Sequence, residues 1–72
     1  MTKFNLQLAK EGNPVCTTIG DKVEILKFDL ANDMPIVAIV TDDEGMQEAQ
    51  TYGLKGNFFR SGESSLNDLM MV

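Results

Sequence analysis

The chain has 72 residues and a mass of 7.9 kDa. A chain of this size buries only about 60% of its unfolded surface, which excludes multi-domain enzymes, doubly wound nucleotide folds and solenoids. Six Lys and Arg against eleven Asp and Glu leave a net charge of −5 and a pI ≈ 4.3, against any protein that grips nucleic acid through phosphates.

The first element in chain order is a short helix. Asn5 is a good N-cap, Phe4 and Ala9 occupy the staple positions on either side of it, and Gly12 stands at C′. Asn13-Pro14 forbids continuation. So short a helix cannot stand alone, so Phe4, Leu8 and Ala9 are expected to pack on a sheet. Val15 to Thr18 reads as a first strand, Gly20-Asp21 as a turn, and Lys22 to Asp29 as a second strand. Apolar alternation changes phase within that second strand. A bulge near Ile25-Leu26 would bring Val23, Ile25, Leu26 and Phe28 onto one face.

Leu30 to Met34 reads as a loop, and Pro35 opens a continuous apolar run from Ile36 to Val40. That run is expected to be central, with a barrel interior on one face and the helix on the other. Asp42 to Gly45 is an acidic turn, and Gln47 to Tyr52 a fourth strand. Gly53 to Gly56 is a further turn, and Asn57 to Arg60 reads as a fifth strand. Residues 61–65 are polar loop, and 66–72 a docking helix, an edge strand or a flexible tail. The pattern predicts one α+β domain over 1–72, mainly β. Its short N-terminal helix packs on a five-stranded antiparallel meander curled into a partly open small barrel.

Composition also constrains chemistry. Hydrophobic residues make up 43% and charged ones 24%, with mean hydropathy −0.10, as in an ordinary soluble domain. The lone Cys16 cannot form an internal disulfide, and the absence of His removes the commonest general base and metal ligand. No leader pattern is visible, and the longest apolar run has six residues against the ~20 needed to span a bilayer. A soluble, cytoplasmic protein is the expectation.

Asp42, Asp43, Glu44 and Glu48 are the densest group of possible ligands, yet their spacing does not match a calcium loop, and a solvated hairpin tip is the simpler reading. No Ser–His–Asp set is possible, and the glycines lack phosphate-loop spacing. No catalytic, metal or cofactor site is expected, and the chain is not read as an enzyme. The aromatics offer more. In a strand, Phe58 and Phe59 face opposite sides, so an outward ring beside Tyr52 and Arg60 could form a stacking platform. The competing reading covers that ring with Leu66, Leu69 and Met70. Met70-Met71, if not docked, would favour self-association.

Several segments together resemble a known group. Phe4-Asn5-Leu6, Ala9-x-x-Gly12-x-Pro14-Val15-x-Thr17 and Gly20 are followed by Pro35 to Ala38, Gly56-x-Phe58 and Ser65-x-x-Asp68-Leu69-Met70. This pattern is similar to a family of short uncharacterised proteins from gut anaerobic bacteria and their phages or prophages. Relatives of that kind carry an Arg-Asp-Gly-Arg turn after the first strand, where this chain has Thr18-Ile19-Gly20-Asp21. The resemblance implies a mobile-element setting and, without those two arginines, weak binding of anions at that turn.

These readings lead to a non-enzymatic binding module that contacts another protein, as a monomer or weak homodimer, with no direct nucleic-acid or membrane contact. Its candidate contact residues are Tyr52, Phe59 and Arg60 with Asp42, Asp43 and Glu44. The rival reading is an acidic inhibitor that mimics nucleic acid on a host or defence protein. It needs Asp29, Asp33, Asp42, Asp43 and Glu48 arrayed on one face, and binding that weakens steeply with salt.

Overall fold

A computed structural model describes all 72 residues. Six strands and one helix follow in the order β1 (Thr2–Lys3), α1 (Leu6–Lys10), β2 (Val15–Thr17), β3 (Lys22–Lys27), β4 (Ile36–Thr41), β5 (Gln47–Tyr52) and β6 (Leu69–Met71). The strands form one antiparallel sheet in the order β1-β6-β2-β3-β4-β5. The mainly β, α+β class is as expected. The sheet has six strands rather than five, and it is not closed into a barrel, because β1 and β5 remain its two edges.

The helix forms for the expected reason. Asn5 Oδ1 accepts the Leu8 N–H at 3.0 Å, and Gly12 leaves the helix at φ 92, a conformation that suits glycine. Phe4, Leu6 and Ala9 turn to the core, whereas Leu8, expected there, is exposed. On the sheet, register decides which residues share a face. Ile36 lies opposite Tyr52, Ala38 opposite Ile25 and Gln50, and Val15 opposite Val23 and Met71. Directly opposed residues point the same way, so these build one apolar face with Leu69. The helix packs on that same face. Val37 and Ile39 therefore stand half-buried on an open reverse side, which the helix was expected to cover.

The expected bulge is present. Register shifts between Ile25 and Lys27, which carries Phe28 onto the face of Val23 and Ile25. Leu26 is the bulged residue itself and is 57% exposed, so three of the four side chains reach the core, not four.

The largest departure lies in the last 20 residues. Asn57 to Arg60 is not a strand but an irregular turn. Its aromatic pair suggests β structure, yet the Phe58 N–H is taken by the Asp68 carboxylate at 2.8 Å rather than by a ladder partner. The same carboxylate accepts the Ser65 N–H at 3.1 Å, and the Asp68 carbonyl accepts the Thr18 N–H at 3.0 Å and hydroxyl at 3.2 Å. One residue thus ties the 57–68 loop to the sheet. Leu69 N–H then reaches the Gly56 carbonyl at 2.8 Å, and the chain enters the sheet between β1 and β2. The tail docks in cis as an interior strand, with Leu69 and Met71 buried, which withdraws it as a free self-association segment. Gly56 is part of the same closure: it sits at φ 82, and a Cβ there would meet the Phe4 side chain at 2.8 Å.

Asp68→Ala removes two charge-assisted acceptors and leaves two loop amides without partners. It is expected to lower stability by roughly 2–3 kcal/mol in urea unfolding. Amide exchange should accelerate first at Phe58 and Ser65, ahead of β3 and β4.

Candidate functional site

The residues with unmet chemistry gather at one pole, where the β2–β3 turn meets the β4–β5 hairpin tip. Thr17, fully buried, builds the first of these. Its hydroxyl accepts the Asp21 N–H at 3.0 Å, its N–H donates to the Asp21 carbonyl at 3.0 Å, and its carbonyl accepts from Gly20. The backbone of Asp21 is pinned, so its carboxylate projects from a rigid turn.

The hairpin tip is built by Asp42. Its Oδ1 accepts the N–H groups of Glu44 and Met46, both at 2.9 Å, and its N–H donates to the Met46 carbonyl. This is an Asx-type turn, with Gly45 at φ 83 completing it. Asp42 therefore shapes the tip first, while Asp43 and Glu44 are solvated beside it. No three acidic or thiol groups stand close enough together to hold a metal ion.

Between turn and tip lies a cleft of about 180 Å³ lined by Asp21, Asp42, Glu48, Gln50 and Asn67, with Val40, Met46 and Tyr52 as its apolar surfaces. A wider, shallower one joins Asp21, Asp42 and Asp43 on the outside of the same pole.

Tyr52 corrects the sequence expectation most clearly. This candidate contact residue is wholly buried, edge-on to Phe58 with ring centroids 6.0 Å apart. Pairing with Ile36 fixes the matter, because that register turns the ring into the core. Its hydroxyl has no hydrogen-bond partner. Burial, with the negative charges of Asp68 and then Asp21 nearby, pushes its pKa up from 10.0 to about 12.

Phe59 and Arg60 stay on the surface without Tyr52. Phe59 is 45% exposed and packs edge-on against Phe58 at 5.2 Å, and Arg60 Nε meets Asp33 Oδ1 at 3.2 Å. Leu66, expected to shield this ring, is itself 65% exposed. Arg60 and Asp33 lie near the start of β4, whereas Asp42 to Glu44 lie past its other end. A strand of six residues separates the two groups by roughly 16 Å at ~3.3 Å per residue, so the candidate contact residues form two surfaces, not one. Asp21, Gln50 and Asn67 were missed in the sequence. The parity of Glu48, Gln50 and Tyr52 along one strand face points to Gln50, but no local signal points to Asp21 or Asn67. No helix is long and apolar enough to cross a membrane.

Residues 1–71 match the model of a family described as Haemophilus phage HP1 protein YO09. No curated protein and no solved structure matches the chain.

A phenylalanine fills the same core space as Tyr52 without an unpaired hydroxyl. Tyr52→Phe is expected to leave the fold intact and raise stability by about 1 kcal/mol. Because the folded-state pKa lies above the unfolded value, Tyr52's contribution is whole below pH 10 and is lost as pH rises toward 12, where the unfolded phenol ionises first. Base-induced unfolding followed by circular dichroism should therefore set in at higher pH for Tyr52→Phe than for the native chain.

Proposed function

The chain belongs to this phage protein family, and from that premise we propose that it is a small non-enzymatic binding module that engages a partner protein by strand addition along β5. The observation that carries this reading is the state of that edge. β5 pairs only with β4, over six residues from Gln47 to Tyr52, without a register shift. Asp42 N–H bonds to the Met46 carbonyl, and hydrogen-bonding alternates along an antiparallel ladder, so Gln47, Ala49 and Thr51 turn their backbone groups outward.

Exposed edges are normally guarded by Lys, Pro, a bulge or a covering loop. β5 has no Lys, Pro, bulge or covering loop, and its one guard is a single charge, Glu48, on the core-facing side of the strand. By contrast the opposite edge, β1, has only two residues. Strand addition draws affinity from main-chain bonds and specificity from alternate side chains. Val37 and Ile39, on the open face beside Thr51 and Ala49, supply apolar area next to the added strand. Phe59 and Arg60 are a secondary contact at the far end of β4. A gut anaerobe as the host setting and the cytoplasm as the compartment are part of the same proposal, supported by the sequence resemblance and the ordinary soluble composition.

The acidic-mimic reading is favoured by a separate observation: Asp21, Asp42, Asp43, Glu44 and Glu48 converge on one pole with only Lys22 among them. The wider array it asked for is divided, because Asp29 and Asp33 lie apart in ion pairs with Lys27 and Arg60.

Ala49→Pro removes an outward N–H without breaking a β4 bond, so the fold should survive. Affinity capture from infected host cells should recover a partner with the native chain and lose it, by tenfold or more, with Ala49→Pro. Recovery that Ala49→Pro leaves intact but that collapses between low and high salt would instead select the mimic.

A further inference from the structure

The backbone phase of β5 restricts what can pair with it. Its outward N–H and C=O groups belong to Gln47, Ala49 and Thr51, alternate residues placed symmetrically about Ala49. A second copy, turned antiparallel by a two-fold axis, meets those groups with its own. With Ala49 opposite Ala49 of the second copy, all three outward residues find outward partners. Each such pair exchanges two main-chain bonds, so six form. The neighbouring registers, centred on Glu48 or on Gln50, pair only two of the three residues.

Charge selects the same register. Centred on Glu48, the pairing would set that carboxylate against its own copy, which is unfavourable. Centred on Ala49, it sets Glu48 opposite Gln50 of the second copy. Within one chain the Gln50 amide already donates to Glu48 Oε2 at 3.0 Å, which leaves Oε1 to accept from the second amide. Chain order extends the match beyond the strand. Met46 falls opposite Tyr52 of the second copy, so each hairpin tip, Asp43 to Met46, runs beside the other copy's turn from Gly53 to Gly56. The tip carries the exposed carboxylates Asp43 and Glu44, the turn carries the exposed Lys55, and none of the three is in an ion pair within the chain. Met46 and Leu54, 65% and 52% exposed, bring apolar surface to the same two segments. Anion meets cation and apolar meets apolar, and the axis repeats both matches.

We infer that β5 closes on β5 of a second copy, centred on Ala49, to make one continuous antiparallel sheet with both helices on the same face. The inference rests on the reading of β5 as a pairing edge and adds its regulation: self-pairing occupies the edge, so a partner protein must displace the second copy.

The test uses the full chain. Sedimentation equilibrium is expected to show reversible dimerisation with a Kd on the order of 10–100 μM, as for six main-chain bonds with little apolar seal. Rising concentration should slow amide exchange at Gln47, Ala49 and Thr51 but not at Glu48 and Gln50, which already bond to β4. Ala49→Pro, checked for folding by circular dichroism, should stay monomeric at millimolar concentration. Lys55→Glu should weaken dimerisation about fivefold at low salt, as for two exposed ion pairs. Cross-linking reads the register without either variant. In a Cys16→Ala background, Ala49→Cys should oxidise to a disulfide dimer by itself, whereas Gln47→Cys and Thr51→Cys should do so only when mixed. Position 47 of one copy lies four residues, ~13 Å, from position 47 of the other, beyond the ~7 Å span of a disulfide.

A chain that is monomeric at millimolar concentration, a dimer that Ala49→Pro leaves intact, or Gln47→Cys cross-linking to itself overturns the inference. A monomer that still captures a partner through β5 overturns self-pairing alone and leaves strand addition standing. A register-specific dimer that captures no partner supports self-pairing and counts against the partner reading.

Discussion

The structure depends on the interactions of Asp68. A 72-residue chain has little core, and its longest irregular stretch, 53–68, would otherwise hang from the end of β5. Asp68 gathers that stretch with its carboxylate and fastens it to the end of β2 with its carbonyl. Everything downstream follows from this placement. Leu69 and Met71 can enter the core only because residue 68 has delivered the chain to the gap between β1 and β2. β1, two residues long, has β6 as its only partner.

The closure is one-sided. Helix and loop cover the same face of the sheet; on the other, Met1 lies against the buried Cys16 while Val37 and Ile39 stay half-buried. Small size thus produces two features that a larger domain would remove: a half-open reverse face and an edge at β5 guarded by one charge alone. A larger fold would place a second helix there, or another strand. Here the polar backbone of Gln47, Ala49 and Thr51 is satisfied by solvent alone. The β5 edge and the half-buried reverse face are therefore the chain's available surfaces.

The sequence carried the local structure well and the long-range structure poorly, for a physical reason. The Asn5 cap, Gly12 stop, the bulge and both hairpins are set within a few residues of chain, and each was legible. The pairing of β6 with β1 and β2 joins residues over 50 apart and leaves no local periodicity. Phe58-Phe59 was misread because aromatic pairs suit strands, whereas a hydrogen bond to residue 68 diverts the backbone. A signal was present in Ser65-x-x-Asp68, whose spacing allows reciprocal bonds: Ser65 N–H to the carboxylate and Asp68 N–H to the Ser65 carbonyl. Phe4, Gly56, Phe58, Asp68 and Leu69, which carried much of the family resemblance, all belong to this closure. The resemblance therefore spoke of fold and not of activity. For the cleft, Asp42 was visible, but Asp21 and Tyr52 come together only once the sheet has folded.

Charge divides the molecule along β4. At one end Asp29 and Asp33 are offset by Lys27 and Arg60 in exposed pairs that contribute little to stability. At the other, Asp21, Asp42 and Glu48 surround a cleft without a compensating cation. The unpartnered Tyr52 hydroxyl beside it carries a cost that phenylalanine would avoid. The two departures from good folding practice share one wall, and neither serves the core. Local rules are broken most often where a surface has other work to do. The −5 charge is thus unevenly spread: Asp29 and Asp33 are ion-paired near the start of β4, whereas Asp21, Asp42 and Glu48 line the cleft without an ion pair.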